Sequence, residues 1–237
     1  MILRYLFIFI ILFKLNIIAQ TTQKPVININ KIDRQINING KMNNPLWLLA
    51  DPIEIKFEIN PGDNTPAKER TIVKSLYDDE YLYFGFICFD SKPSEIRANL
   101  SERDKIFQDD YVIVLLDTYG DAQKSYEIAL NPFGIQGDLM ATQNGEDISF
   151  DFTWFGAAEI NDSGWTAEMA IPFKSISFEE VEYPNWKFNV VRTIPRSSRT
   201  QVSWAKFDKD IPSFLLQYGS INGLKNIKSG SSIELLP

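Results

Sequence analysis

Not one histidine occurs in the 237 residues of this chain. Its absence removes the imidazole base of Ser-His-Asp and Cys-His catalysis and every zinc site that uses imidazole. Cysteine is nearly as scarce. Cys88 stands alone, so there is no disulfide framework within the chain. It lies within LYFGFICF, the setting of a small core residue rather than of a reactive thiol. Basic charge is short as well: 24 lysines and arginines face 31 aspartates and glutamates, for a net charge of −7. Such a chain has no electrostatic reason to seek nucleic acid or anionic lipid, which leaves neutral ligands or cations. Repeats, low-complexity tracts and a strong amphipathic helix pattern are also missing.

The longest apolar run opens the chain, MILRYLFIFIILFKLNIIAQ. Arg4 precedes nine apolar residues, 5–13, which Lys14 interrupts. A bilayer span needs roughly 20 such residues, and no later stretch is apolar enough to serve. Residues 1–19 read instead as a secretory signal peptide with Ala19 the last residue removed. No cysteine lies near that point to carry a lipoprotein anchor. Export places the protein in the periplasm, at the outer membrane or outside the cell. Cleavage takes Arg4 and Lys14 away, leaving 218 residues with a net charge of −9. Residues 20–237 suffice for one large domain with a full core.

What recurs along that domain is a short run of β-branched and aromatic residues followed by a turn. KSLYDDEYLYFGFICFD holds two such runs joined at Asp78, Asp79 and Glu80, a hairpin signal. Leu82, Phe84, Phe86 and Cys88 alternate with Tyr81, Tyr83 and Ile87, so both faces of that strand are expected to be buried. Further strands are predicted at 111–118, 125–131, 164–171, 186–194 and 201–207. The fold class is therefore all-β, an antiparallel two-sheet sandwich of jelly-roll type. One helical turn is expected near residues 44–50, where Asn44 caps, Pro45 opens and Trp47 folds onto the core. Residues 60–68, rich in Pro, Gly and Asn, read as a surface loop. Residues 91–109 form a long polar connection, where binding usually resides.

Carboxylates crowd one stretch, RDKIFQDDYVIVLLDTYGD. Asp110 and Asp117 lie seven residues apart on an extended strand, ~23 Å at ~3.3 Å per residue. A glycosidase pair needs roughly 5–9.5 Å, so these two are not partners. Asp104, Asp109, Asp110, Asp121, Asp138 and Asp151 fall near strand ends, a composition that suits calcium and equally suits solvated turns. Glu168 sits among apolar residues, either as an acid of raised pKa or in a buried ion pair with an arginine such as Arg192. Arg192 and Arg196 either clamp an anion or pair with strand carboxylates. Trp47, Trp165, Trp186 and Trp204 read as core. Trp154, following the polar loop QNGEDISFDFT, is the tryptophan placed to stack on a sugar.

Five segments in order, ININGKMNNPLW, TIVKSLYDDEYLYFGFICFD, DDYVIVLLDT, GWTAEMAIPFKSI and YGSINGL, resemble family 9 carbohydrate-binding modules. LNPFGIQGD and FDFTWFGAAEINDSGWTAEMAIPF look more like a secreted bacterial subgroup in which such a module precedes an outer-membrane-barrel-like C-terminal domain. The resemblance implies a two-sheet antiparallel sandwich, without catalysis of its own, often with calcium and commonly appended to glycoside hydrolases in glycan breakdown. It implies a sugar held between two aromatic side chains. Phe107 stands at one platform position, three residues before Asp110. Spacing puts Pro212 at the other, with Phe214 two residues on. Ile113 and Glu127 stand where the family carries a glutamate and an arginine. The expected function is a secreted, non-catalytic carbohydrate-binding module that stacks glycan on Phe107, Phe214 and Trp154. The alternative is a structural or interaction domain of an outer-membrane protein that has lost the sugar site. A glycoside hydrolase comes third. The chain is expected to be one module of a larger protein, with its last residues loosely held.

Overall fold

The computed structural model describes residues 24–196 and 198–229. The expected signal peptide, residues 1–19, and the chain end expected to be loosely held lie outside these residues.

Fourteen strands occur among them. β1 (Val26–Asn28), β2 (Asn30–Lys31), β3 (Ile53–Asn60), β4 (Thr65–Tyr77) and β5 (Tyr81–Phe89) come first. β6 (Tyr111–Asp117), β7 (Lys124–Leu130), β8 (Gln136–Thr142) and β9 (Gly145–Asp147) follow. β10 (Phe155–Asn161), β11 (Gly164–Pro172), β12 (Lys187–Ile194), β13 (Thr200–Ser203) and β14 (Gly219–Asn222) complete the set. Pairing runs β10-β11-β5-β4-β3-β13-β12-β6-β7-β8-β9. The path folds over at β3–β13, so that one layer comprises β10 to β3 and the other β13 to β9. Phe84 of β5 stacks on Phe188 of β12 across the gap, with centroids 5.4 Å apart and rings 6° from parallel. The expected sandwich is there, antiparallel except where β1 meets β14 and β2 meets β4.

Local chemistry explains the predicted elements. Asp78 closes the β4–β5 hairpin because its Oδ1 accepts the N–H groups of Glu80 and Tyr81, both at 2.7 Å. Both faces of β5 are covered: Leu82, Phe84, Phe86 and Cys88 enter the main core, and Tyr83 enters a smaller cluster around Trp47. Pro45–Leu49 forms a 3-10 turn capped by Asn44, whose Oδ1 accepts from the Leu46 amide at 3.0 Å. No helix among the described residues is long and apolar enough to cross a membrane.

Two expectations need correction. The 60–68 loop is shorter than composition implied. After a bulge in β3, Glu58 and Phe57 pair with Thr65 and Pro66, so β4 starts at Thr65. The predicted 201–207 strand ends at Ser203. There the Ala205 amide turns to the Asn189 Oδ1 at 3.0 Å, and a side chain takes over from the ladder.

Candidate functional site

The strand YVIVLLD is buried on both faces, and the reason lies outside the sandwich interior. Val112, Val114 and Leu116 point into the main core. Tyr111, Ile113 and Leu115 point the other way, where they meet Leu139 of β8 and Val191 of β12. This second apolar surface, on the outside of the β13–β9 layer, is roofed by two connections. One is residues 91–109 and the other residues 204–218. Between them remains a cleft of about 790 Å³.

Each roof carries an aromatic side chain to the cleft. Phe107, half-buried, sets its ring edge-on to Tyr111 at 5.6 Å between centroids. Its loop is tied to β8: the Asp104 amide donates to the Gln136 carbonyl at 3.0 Å, and the Asp138 amide donates to Asp104 Oδ1 at 2.9 Å. Arg103 adds contacts to the side chains of Gln136 and Asp138. Gly137 makes room beneath, since a Cβ there would stand 3.1 Å from Ile106 and 3.2 Å from Phe107. Phe214 arrives from the other roof, 4.8 Å from the Phe207 ring and 5.5 Å from the Tyr218 ring. Asn64 fixes Phe207 by accepting its N–H and donating to its carbonyl, both at 2.7 Å.

Phe107 and Phe214 therefore line one cleft. Pro212, at the spaced position, is exposed and does not line it. Trp154 is 3 % exposed and is not a platform. Its indole N–H donates to Asp138 at 3.3 Å, and its ring belongs to the main core. The polar loop before it turns away and takes Ile148, 71 % exposed, to the cleft rim instead. Phe207, Tyr111 and Glu146 were missed as lining residues. Only Glu127 left a sequence signal, as a lone charge inside the strand SYEIAL.

Glu127 lies in the cleft floor, 9 % exposed. Burial, joined by the negative charge of Glu146, pushes its carboxyl up to about 8. The cleft's cations, Arg199 and Lys209, sit beyond the two ends of β13. Among the described residues neither pairs with Glu127, and Lys209 donates to the Gly62 carbonyl at 3.3 Å.

The other singled-out charges build the scaffold. Glu168 does not pair with Arg192. It accepts from Trp47 Nε1 at 2.7 Å and from the Asn39 and Gly40 amides, both at 2.8 Å. Arg192 and Arg196 both reach Asp90, at 3.4 and 2.6 Å. The aspartates are similarly committed. Asp117 gathers the amides of Tyr119, Gly120 and Ala122, which makes it the turn-former after β6. Asp109 holds Asn99 and Asn131, Asp121 accepts from Gln123, and Asp151 lies 3.4 Å from Arg103. Asp110 accepts the Arg97 amide at 2.8 Å, while its Oδ1 has no partner. No group of three carboxylates suited to a metal occurs among the described residues. A calcium ion needs six to eight oxygens, and among the described residues these aspartates do not gather into such a set.

Residues 38–190 match the family described as carbohydrate family 9 binding domain-like. No curated protein matches the chain. Among solved structures, a family 9 carbohydrate-binding module from Caldicellulosiruptor kristjanssonii in complex with cellotriose superposes with a TM-score of 0.62 at 14% identity. The match covers 90% of this chain and 98% of that one. The same figures for identity, TM-score and share of this chain hold for a module from that organism with glucose, matched over 100% of its length. A candidate carbohydrate-binding protein from Bacteroides uniformis gives a TM-score of 0.68 at 12% identity, covering 85% of this chain and 100% of that one. At such identities the likeness establishes the fold.

Proposed function

Because the chain belongs to the carbohydrate family 9 binding domain-like family, we propose that its outer cleft binds glycan and that the protein is a secreted, non-catalytic carbohydrate-binding module. The observation that carries this is the convergence of Phe107 and Phe214 from separate roofs onto one cleft. Their rings offer apolar faces to the C–H faces of a sugar, and binding releases the water that covers both. Neighbours of the same fold hold cellotriose and glucose, which supports a glucose-type oligosaccharide as the first ligand to try. Export by residues 1–19, a periplasmic, outer-membrane or extracellular location, and work beside glycoside hydrolases in glycan breakdown are parts of the same proposal.

An arrayed-glycan screen of the 20–237 domain tests it, with Phe107→Ala and Phe214→Ala in parallel. Each truncation is expected to weaken binding roughly tenfold or more, about 1.4 kcal/mol, with the fold retained. Equal binding by wild type and both variants would move the site elsewhere. A reducing-end assay on every bound glycan is expected to show no turnover.

A second reading has one feature in its favour. The cleft floor carries a continuous apolar strip, Ile113, Leu115, Leu139 and Val191, of the kind a protein partner can also cover. On that reading the domain is a structural or interaction module, next to an outer-membrane domain. Absence of binding to any glycan would favour it.

A further inference from the structure

One polar group in the cleft floor is left unanswered by the fold. Glu127 projects from β7 on the face shared with Ala129, opposite Leu139 of β8, and is nine-tenths buried. Among the described residues its carboxylate has neither an ion pair nor a hydrogen bond, whereas the buried Asp90, Asp109 and Asp138 each face several donors. Asp138, for example, is met by Arg103, the Phe152 amide and the Trp154 indole. A buried carboxylate without a partner is strongly disfavoured in its charged form. A second carboxylate, Glu146 of β9, lines the same cleft and adds negative charge rather than relieving it. The chain as a whole is acidic, with a net charge of −7.

We propose that the ligand of this cleft carries a protonated amine, as a deacetylated amino-sugar oligomer does, and that Glu127 receives that amine between Phe107 and Phe214. The proposal rests on the reading of the cleft as the glycan site and names the glycan class. In the empty cleft near neutral pH Glu127 holds its proton, because burial and Glu146 raise its pKa. On binding, the carboxylic acid gives up that proton to solvent, and the carboxylate so formed pairs with the incoming ammonium group. Charge balances: one cation enters and one proton leaves. The two aromatic faces supply the stacking that any sugar ring uses, and an ammonium group over such a face adds a cation–π attraction. Another hollow, of about 810 Å³ around Phe57 and Leu216, offers no such group. Its buried polar side chain, Gln217, already donates to the Asp208 and Ser213 carbonyls.

The test uses three trimers with the same β-1,4 linkage and different groups at carbon 2: glucosamine trimer, its N-acetylated form and cellotriose. Calorimetry at about pH 5.5, roughly two units below the ~7.7 of an ordinary α-amino group, keeps the amine charged even where neighbouring sugar oxygens lower its pKa. Wild type is expected to bind the glucosamine trimer at least roughly tenfold more tightly than cellotriose. Runs in buffers of different ionisation enthalpy are expected to show proton release with the amine ligand and none with cellotriose. Glu127→Gln should abolish both the preference and the proton release, so that the variant binds the glucosamine trimer no more tightly than it binds cellotriose. Phe107→Ala should weaken all three ligands, which separates the cleft from loose attraction of a cation to an acidic surface. Cellotriose bound as tightly as the amine, a preference that survives Glu127→Gln, or glucosamine-trimer binding undiminished in Phe107→Ala, overturns the proposal and leaves the glycan reading standing. Failure of all three trimers together with an empty glycan array overturns both.

Discussion

At Glu127 a carboxyl group pushed up to about 8 makes stability depend on pH even without ligand. The group's folded pKa lies above its unfolded value of about 4.3. The folded state therefore holds the proton longer, and stability contributed in this way is full below about pH 4 and lost as pH rises through about 8. Glu146 faces it from β9, and Tyr218, whose hydroxyl is itself buried without a partner, lies in its field. Glu146 opposes the ionisation of Glu127, and a charge on Glu127 would in turn raise the Tyr218 hydroxyl. Glu127→Gln removes the titration. The variant is expected to gain on wild type by several degrees in Tm between pH 5 and pH 9, because each pKa unit corresponds to about 1.4 kcal/mol and each kcal/mol to ~2–4 °C at this size. Parallel melting curves for the two proteins across that range would show that Glu127 ionises freely. Asp110, raised to about 6 by burial, adds a decline of the same sign at lower pH.

Among the elements, the 91–109 connection matters most, because it is a loop that behaves as part of β8. Its anchor is Arg103, which meets Asp138, the Gln136 side chain and the Phe152 carbonyl and lies over the Trp154 ring at 5.9 Å. The Asp138 side chain is fully buried. Arg103→Ala takes away its cation and frees the loop that carries Phe107. Removing one partner of a buried pair costs about 3–5 kcal/mol. Arg103 is one-third exposed, so solvent screening lowers the expected cost to about 2–3 kcal/mol, read as a fall in Tm. Glycan affinity should fall with it, since Phe107 loses its support. Full affinity in Arg103→Ala would show that the aromatic is held by its own packing on Tyr111. At the level of β8, Gly137→Ala should act in the same direction through steric pressure on Ile106 and Phe107, at about 1–3 kcal/mol.

For the molecule as a whole, the two layers are joined by apolar packing and by one charged clamp. Arg192 of β12, fully buried, donates to Thr71 Oγ1 of β4 at 3.0 Å and to the Phe89 carbonyl at the end of β5 at 2.8 Å, and pairs with Asp90. Arg192→Ala strands Asp90 with Arg196 alone and is expected to cost ~3–5 kcal/mol, a fall in Tm of roughly 10 °C or more. A small loss would mean that Arg196 suffices. Calcium also belongs at this scale, because a ligand of the folded state raises Tm by mass action. With the aspartates dispersed rather than gathered among the described residues, melting curves in calcium and in chelator are expected to coincide. A shift of several degrees would place a cation site in an arrangement different from the one described.

The sequence by itself determined the class of the fold and much of its detail. Absent histidine and a single cysteine closed off whole chemistries. Period-two runs broken by Asp, Asn and Gly located the hairpin at Asp78 and the strands at β6, β7, β11 and β12, because side-chain alternation and turn chemistry are local. Phe107 and Phe214, which the structure brings to one cleft, were legible only through the family resemblance. Tertiary structure alone decided which carboxylate met which donor. Glu168 went to Trp47 and the Asn39 and Gly40 amides rather than to Arg192, since such pairings join residues up to 129 positions apart. It also decided that Trp154 is core and that Phe207 reaches the cleft. Composition cannot tell a covered outer sheet face from an interior one, because both are apolar. That ambiguity hid the cleft: YVIVLLD reads as a strand buried on two sides, and only the two roofs folded over it reveal that one of those sides holds a site with an unanswered carboxylate.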